Sequence, residues 1–361
     1  MSSILALDLG RHNQKTHGAI FTQQSGRGNR FTCETNVTGL TQVFKEAKSA
    51  GVTAVYFEAQ PAAFAVADLV LTLGLTPVIA NTHDEGFAAR ARSTKSDKLD
   101  VDRLGKMAQM GDITGIHLPD AIDRDRRSLV ELRASLVGDQ TAAKNRIRGL
   151  AEQYWLEIPD GDACWNKEGL ASLRVMTEDA TLSPSLRVHL DILLNQLQNL
   201  AEQIDRANQA LSELRKDTPA ALRLVKEMPG FGPATTDAFM AFIGNPKETG
   251  YSSRSAAAAT GLVPTQRQSG KTLIPGPISK AGNATLRGYL VEAAQQVVIR
   301  YPEWKALKER FTRGKDDPIT KGKAIVAIAR RIAVTAAALL RSGKPYNPEM
   351  IMPKKTWSPV T

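Results

Sequence analysis

The chain has 361 residues, 42% of them hydrophobic, which is enough for two or three domains with apolar cores. Its formal net charge of +10 favours a polyanionic partner such as nucleic acid. Two cysteines are too few for a disulfide framework, and the most apolar late stretch is interrupted by Arg330 and Arg331, which excludes a typical membrane span.

The first residues also bear on the compartment. Ser2 and Ser3 lead directly into a strand-like run, so the pattern of a secretory signal peptide is missing there. A chain with two cysteines suits a reducing environment. We therefore expect a cytoplasmic protein with no membrane partner.

Residues 1–118 predict an α/β domain. Strands are expected at 3–9, 17–23, 30–36, 52–58 and 77–80, and helices at 38–50, 61–73, 84–91 and 97–110. Thr38 is the predicted N-cap of the first helix. Three strands followed by alternating helices and strands are typical of a ribonuclease-H-like, that is RuvC-like, layer, although other α/β folds share this order.

Residues 119–218 predict two long helices. The first, 123–156, has an apolar stripe and basic residues on its other faces, which suit phosphate backbones. The second begins with Ser183 as N-cap and Pro184 at its first turn, and a heptad of apolar residues runs from Leu186 to Leu214. Such a coiled-coil seam requires a partner, either the 123–156 helix or the same helix of a second subunit. The basic residues of the first helix that we expect to bind nucleic acid are Arg124, Arg127, Lys144, Arg146 and Arg148.

Residues 219–345 predict a third, mostly helical domain, and residues 346–361 a loosely ordered tail. The run Met228–Pro233 resembles the hairpin of a helix-hairpin-helix motif. There Gly230 and Gly232 would let backbone N–H groups approach a phosphate. A simple tight turn between two helices is the alternative interpretation.

Four carboxylates stand out in the first domain. Asp8 and Glu58 end two apolar strands, and Asp97 and Asp100 are spaced to share one face of a helix. Each like-charged pair at about 5 Å repels by roughly 3 kcal/mol at an effective dielectric near 20, a cost that divalent cations remove. Carboxylate oxygens suit Mg²⁺ or Mn²⁺, and two such ions about 4 Å apart support phosphodiester chemistry. Taken singly, each acid is also compatible with a helix cap or a salt bridge.

A serine in the third domain is a second candidate for chemistry. Ser269 lies in a glycine-containing loop with the cations Arg267, Lys271, Lys280 and Arg287 around it. A nucleophilic serine needs an activating base. All five histidines lie at or before His189, so any base must come from elsewhere. From the composition alone, passive phosphate binding by Ser269 is therefore favoured over catalysis at this point.

In this order the motifs resemble those of the DEDD transposases of bacterial insertion sequences, the insertion sequence 110 family, and of the related Piv-type DNA invertases. The resemblance rests on the following segments: LALDLGRH, the FEA strand end, KSDKLD, MPGFGPATT and GLVPTQRQSG with ISKAGNATLR. It covers nearly the whole chain.

The resemblance implies a RuvC-like nuclease domain whose metal-binding tetrad maps onto Asp8, Glu58, Asp97 and Asp100. It also implies a coiled-coil middle region and a C-terminal transposase domain whose nucleophile maps onto Ser269 and forms a phosphoserine with DNA. A structured non-coding RNA, the bridge RNA, would select donor and target DNA. The active site would combine two protomers of a dimer or tetramer, so that metal ions of one protomer activate the serine of another.

One departure and two alternatives accompany this interpretation. The family often has two hydroxyl residues before the loop glycine, whereas Gln268 occupies the first position here; Ser269 is retained, and Ser279 is the weaker candidate. A RuvC-like nuclease or invertase that needs no RNA is the first alternative. A sugar-kinase or actin-like ATPase is the second, because LALDLGRHNQKTHGAI resembles that fold's phosphate hairpin, but its other motifs are missing.

Overall fold

A computed structural model describes residues 3–22, 29–81, 97–269 and 272–351. The side chains of Asp97, Lys98, residues 266–275 and Met350 are outside this description. The chain divides into two compact units, Met1–Pro119 and Asp120–Thr361. The helix predicted at 84–91 and most of the predicted tail are outside the described residues. Within the described part, every helix is too short or too polar to cross a membrane.

The N-terminal unit is built on a five-stranded sheet in the order β3-β2-β1-β4-β5. The first two pairings, β1 with β2 and β2 with β3, are antiparallel, and β1 with β4 and β4 with β5 are parallel. The strands are β1 Ser3–Asp8, β2 Lys15–Phe21, β3 Asn29–Glu34, β4 Val52–Glu58 and β5 Thr76–Ala80. All five predicted strands are therefore confirmed, with ends that differ by one or two residues.

In the described part of this unit, three helices cover the sheet: α1 Val37–Ser49, α2 Ala63–Thr72 and α3 Asp97–Met110. The N-cap of α1 is Asn36 and not the predicted Thr38. The Asn36 carboxamide oxygen accepts a hydrogen bond from the N–H of Gly39 at 2.8 Å, and an Asn side chain satisfies that donor as well as a Thr would. Thr38 instead lies inside the first turn.

The two faces of the sheet have separate cores, as the alternation of side chains along a strand requires. Leu5, Leu7 and Phe57 pack with Phe44 of α1 on one face. The other face, which includes Ile4 and Ala6, packs against the buried stripe of α3. That stripe consists of Val101, Leu104 and Met107.

Helix α3 crosses its face of the sheet in a direction that the contacts define. Val101 and His17 line the same small cleft, whereas the Gln109 carboxamide donates to the carbonyl oxygen of Thr22 at 3.1 Å. Between them, Gly105 lies so close to Phe21 that an added Cβ would stand 2.1 Å from the phenyl ring. The first turn of α3 therefore lies at the end of the sheet where β1 finishes.

The C-terminal unit begins with two long helices, α4 Ala121–Tyr154 and, after the short α5 Lys167–Met176, α6 Pro184–Lys216. Helix α4 begins after the N-cap Asp120, and Ser183 caps α6 as predicted. The predicted apolar seam of α6 packs on α4 of the same chain, with Ile147, Leu190 and Leu197 in one core. Of the two partners left open by the sequence, the structure therefore shows the intramolecular one.

Among the described residues that follow, there are six further α-helices and a two-stranded hairpin. They are α7 Pro219–Glu227, α8 Pro233–Phe242, α9 Ser253–Ala259, β6 Pro264–Ser269, β7 Thr272–Ile278, α10 Ala284–Arg300, α11 Pro302–Thr312 and α12 Pro318–Ser342. Their core includes the fully buried Trp304 and Ile332 together with Val130 of α4 and Leu211 of α6. The base of the long helix pair and the later helices thus share one apolar core.

Buried charges cross-link this shared core. Asp237 of α8 is 2% exposed and forms an ion pair with Arg215 at the end of α6. Arg126, 1% exposed, donates to the Leu214 carbonyl oxygen at 3.2 Å and to the Thr218 hydroxyl at 2.6 Å. Burial raises the pKa of Asp237 to about 6, although Arg215 and Arg126 act in the opposite direction. The Oδ1 atom of Asp237 has no hydrogen-bond partner among the described residues, which agrees with this desolvation.

We expect Asp237→Asn to remove a pH dependence of stability. A pKa that is raised on folding stabilises the protein fully below its unfolded value, 3.8, and this stabilisation is lost as the pH rises through about 6. At 1.36 kcal/mol per pKa unit, the free energy of unfolding of the wild type relative to Asp237→Asn should fall by about 2 kcal/mol between pH 4 and pH 7.5. Urea unfolding of both proteins, with the exposed Asp139→Asn as control, measures the difference. A difference that stays constant with pH would contradict the assignment.

Candidate active site

Asp8 and Glu58 lie next to each other at one end of the sheet. They are the last residues of β1 and β4, which run parallel with Leu7 paired to Phe57. Because side chains alternate along a strand, Asp8 shares the face of Ile4 and Ala6, and Glu58 shares the face of Tyr56. Both carboxylates are half-buried. The structure thus brings these two predicted residues together on the face covered by α3.

The second predicted pair belongs to the first turn of α3. Asp97 is the first residue of this helix, and its side chain lies outside the described residues. Asp100 is half-buried and precedes Val101, Leu104 and Met107 on the stripe that packs on the sheet. Since this turn lies at the end where β1 finishes, Asp100 is on the same face and at the same end as Asp8 and Glu58.

These positions do not by themselves form a complete metal centre. Among the described residues, there is no group of three or more His, Cys, Asp or Glu side chains arranged to hold a metal ion. The described residues do not include the Asp97 side chain, which the prediction requires. The three described acids still fit a hard divalent cation in their chemistry, because each supplies carboxylate oxygens.

The neighbouring Asp102 has a different role. Its carboxylate forms an ion pair with Arg30 of β3. A residue two positions after Asp100 on a helix points to another side, so Asp102 faces the antiparallel edge of the sheet. Asp102 therefore lies on the same helix as Asp100 but faces away from Asp8 and Glu58.

His17 is a residue of this region that the sequence analysis missed. It is paired with Asp8 in the β1–β2 register and shares the sheet face of Ala19 and Phe21. The Thr32 hydroxyl lies 3.3 Å from its Nδ1 atom. The only signal that points to His17 is the hairpin register, which places it across from Asp8.

Two helices joined by a tight hairpin are present in the C-terminal unit, as both interpretations of this segment require. Helices α7 and α8 are joined by residues 228–232, and Gly230 has φ of +81°, in the left-handed region that favours glycine. An added Cβ at Gly230 would stand 2.7 Å from Val297 of α10, so the hairpin packs tightly on that helix. Gly232, by contrast, has open space around it and caps α8.

This hairpin borders a cleft of about 760 Å³. Lys226 and Arg300 line the cleft beside Gly230 and Gly232 and were not singled out from the sequence. Cations next to glycine backbone are suited to a phosphate group. The cleft therefore extends the predicted phosphate site by two basic side chains.

Ser269 ends β6 and is paired through the backbone with Thr272, the first residue of β7. The side chains of Ser269, Arg267 and Lys271 lie outside the described residues, so their predicted roles remain predictions. Of the other predicted cations of this loop, Lys280 is exposed and has φ of +54°. Arg287 donates to the Thr260 carbonyl oxygen at 3.3 Å and so holds the preceding loop.

The basic residues of α4 fall into two groups. Arg124 and Arg127, near the base of the helix, donate hydrogen bonds to backbone carbonyl oxygens. Arg124 donates to that of Asp120 at 3.3 Å, and Arg127 donates to that of Ala241 at 3.1 Å. Burial lowers the pKa of Arg127, whose guanidinium carbon also lies 5.3 Å from the Phe242 ring centroid. Arg127 is thus held against the later helices, and its predicted phosphate contact stays a prediction.

The outer group of α4 is more accessible. Arg146 is exposed, and Lys144 and Arg148 are half-exposed beside Trp165. These three cations remain candidates for nucleic-acid contacts.

Both cysteines, Cys33 and Cys164, are free thiols, as expected from their number.

Comparison with known proteins agrees with this arrangement. A transposase family model of the DEDD type in IS110 elements matches residues 7–156, which contain all four predicted acids. A second model, described as the transposase IS116/IS110/IS902 family, matches residues 222–309, which contain the glycine hairpin and Ser269.

Individual relatives extend the match. The transposase for insertion sequence element IS1111A of Coxiella burnetii is 28% identical over 256 residues, which cover 71% of this chain and 69% of that protein. A probable family 20 transposase of Pseudomonas aeruginosa is 27% identical, and the transposase for insertion sequence element IS1328 of Yersinia enterocolitica is 26% identical, each over 71% of this chain and 75% of the relative. The chain therefore belongs to the IS110 family of transposases and is a DNA transposase.

Proposed function

We propose that this transposase cleaves and exchanges DNA strands with a RuvC-like metal centre in its N-terminal unit and a serine nucleophile in its C-terminal unit. An RNA guide selects the donor and target DNA. The observation that carries the proposal is the position of Asp8, Glu58 and the first turn of α3 at one end of one sheet face.

The strand order supports the RuvC-like assignment. Three antiparallel strands followed by two parallel ones, in the order β3-β2-β1-β4-β5, agree with the ribonuclease-H-like layer expected from the sequence. In such a layer the carboxyl ends of the parallel strands β1 and β4 meet at one edge, where α/β sheets carry their sites. Asp8 and Glu58 occupy these two ends.

The carboxylates would hold Mg²⁺ or Mn²⁺, and the DEDD class typically uses a divalent metal. When bound, such cations supply charge stabilisation for phosphodiester cleavage. Asp8 and Glu58 would present their oxygens from a rigid sheet, and Asp97 and Asp100 would present theirs from a helix whose later turns pack against it. Without a cation, this arrangement would hold like charges together at a cost in free energy.

Ser269 would supply the nucleophile. Its hydroxyl oxygen would form a bond to phosphorus while the bond from phosphorus to a deoxyribose oxygen breaks, and the hydroxyl proton would leave through a base to the departing oxygen. The active site would be composite, with the acids of one protomer and the serine of another in a dimer or tetramer. This arrangement supplies the base that the histidine-free segment after His189 lacks.

A guide RNA is what the family resemblance implies for this chain. The net charge of +10 and the exposed cations of α4 are compatible with an RNA partner besides DNA. An RNA-independent invertase with the same metal centre is the second candidate. The kinase or ATPase alternative loses its support, because the chain belongs to a transposase family.

One experiment tests metal, RNA and DNA together. The protein is purified from cells that carry its insertion sequence, the bound nucleic acid is sequenced, and cleavage of element DNA is measured with Mg²⁺, with EDTA and after ribonuclease treatment. We expect a structured RNA from the element in the sample, and loss of cleavage with EDTA and with ribonuclease. Cleavage that survives ribonuclease favours the invertase, and cleavage that survives EDTA contradicts the metal centre.

A further inference from the structure

A second cleft lies away from the predicted active-site residues, between α4, α5 and α6. Its volume is about 320 Å³. The inner wall is apolar and consists of Leu170, Leu194, Leu197 and Ala201. One side is the half-buried indole of Trp165, which follows the buried Cys164 in a short 3₁₀ helix, Gly161–Trp165. A flat apolar group would therefore contact leucine side chains on one surface and an aromatic ring on another.

The mouth of this cleft is polar and basic. Lys144 lines the cleft and lies over the Trp165 ring with its Nζ atom 5.5 Å from the centroid, and Arg148, outside the lining, lies over the same ring at 5.2 Å. Arg174 extends from α5 across the mouth, where it donates to Asp191 at 2.9 Å and to the Gln198 side chain at 3.4 Å. These contacts orient the cations without burying them.

The apolar wall and the basic mouth together restrict the class of ligand that fits this cleft. An inorganic anion would use Lys144 and Arg174 but leave the leucine wall exposed to water, whereas an aliphatic side chain would leave the cations unmatched. A nucleotide matches both, since its base has apolar faces and polar edges and its phosphate is anionic. The amide side chain of Gln140, which also lines the cleft, can hydrogen-bond to a base edge.

We propose that this cleft binds a single unstacked nucleotide of the nucleic acid that the transposase holds, with the base between Trp165 and the leucine wall and the phosphate on Lys144 and Arg174. The inference depends on nucleic acid as the ligand of the family and is independent of the metal centre and of Ser269. The outer end of the α4–α6 helix pair would thus bind one unpaired nucleotide of a nucleic-acid strand.

The test uses the full chain labelled with 6-fluorotryptophan. The four tryptophans give four ¹⁹F resonances, which Trp→Phe variants assign. Adenosine 5′-monophosphate is titrated as the probe, and inorganic phosphate and ribose 5-phosphate serve as controls. We expect the Trp165 resonance to shift and saturate with the nucleotide and to stay in place with both controls.

A filled cleft provides the matched variant. Ala201→Leu would occupy the slot and should raise the apparent Kd of the nucleotide by about tenfold or more, the range that loss of base stacking produces. Ala171→Leu, on the exposed side of α5, adds the same atoms outside the cleft and should change nothing. The remaining three resonances report whether each variant is folded. A Trp165 resonance that ignores the nucleotide, or responds equally to phosphate, overturns the proposal.

Discussion

Asp8→Asn is expected to reduce metal-dependent DNA cleavage by about a thousandfold, and Glu58→Gln should do the same. Each change removes one charged ligand from the pair of adjacent strand ends. A metal ion contributes several kcal/mol of charge stabilisation to the transition state, and each 1.36 kcal/mol corresponds to a factor of ten in rate. Cleavage of labelled element DNA across a Mg²⁺ titration measures the effect. DNA and RNA binding should be largely retained, because neither side chain belongs to the proposed phosphate sites.

The matched control for these variants is Asp102→Asn. It removes the same charge from the same helix as Asp100, but its carboxylate pairs with Arg30. An exposed ion pair contributes little to stability, so this variant should cleave at close to the wild-type rate. If Asp102→Asn were as inactive as Asp8→Asn, or if Asp8→Asn kept its cleavage, the assignment of the acids would be wrong.

Ser269→Ala is expected to abolish the covalent protein–DNA adduct and, with it, strand exchange by several orders of magnitude. The reason is chemical, since alanine has no oxygen to bond to phosphorus, and loss of a nucleophile typically has an effect of this size. Denaturing gel electrophoresis of the protein with labelled element DNA in Mg²⁺ detects the adduct as a retarded, protease-sensitive band.

Ser279→Ala is the control for the serine assignment. Its hydroxyl accepts a hydrogen bond from the N–H of Ala281 at 3.4 Å, a local turn contact whose loss should leave adduct formation intact. An adduct that persists in Ser269→Ala and disappears in Ser279→Ala would transfer the nucleophile to Ser279. Mixing Ser269→Ala with Asp8→Asn protein should restore some adduct if the site is shared between protomers.

The spacing of apolar residues predicted many helices and strands of this chain, because this spacing reflects the local geometry of each element. Alternation of apolar residues located the five strands of the N-terminal sheet, and the heptad from Leu186 identified a long buried seam, whereas the hairpin strands β6 and β7 were expected to be a loop. The N-cap of α1 was placed two residues late, because Asn36 and Thr38 both suit a cap and only the position of the Gly39 N–H distinguishes them. The partner of the α6 seam is set by the tertiary fold, which brings α4 beside α6. The heptad within α6 carries no information on that partner.

The candidate site was less predictable than the fold. Asp8 and Glu58 could be paired from the sequence because both end apolar strands, but their common face follows from the register of β1 against β4. His17 needed the register of a hairpin, and a histidine in a strand gives no other signal. Arg127 looked like its basic neighbours on α4, yet its contact with the Ala241 carbonyl oxygen joins residues that are remote in sequence.

The close approach of Gly105 to Phe21 makes the acidic end of the sheet sensitive to a contact far along the same helix. Any side chain at position 105 would lift the middle of α3 from the sheet and tilt its first turn, so Asp100 would move although nothing near it had changed. A substitution at position 105 can therefore lower the activity of this enzyme, although Gly105 belongs neither to the proposed nucleic-acid sites nor to the proposed metal ligands. Relatives with a larger residue at 105 should carry a smaller one at 21.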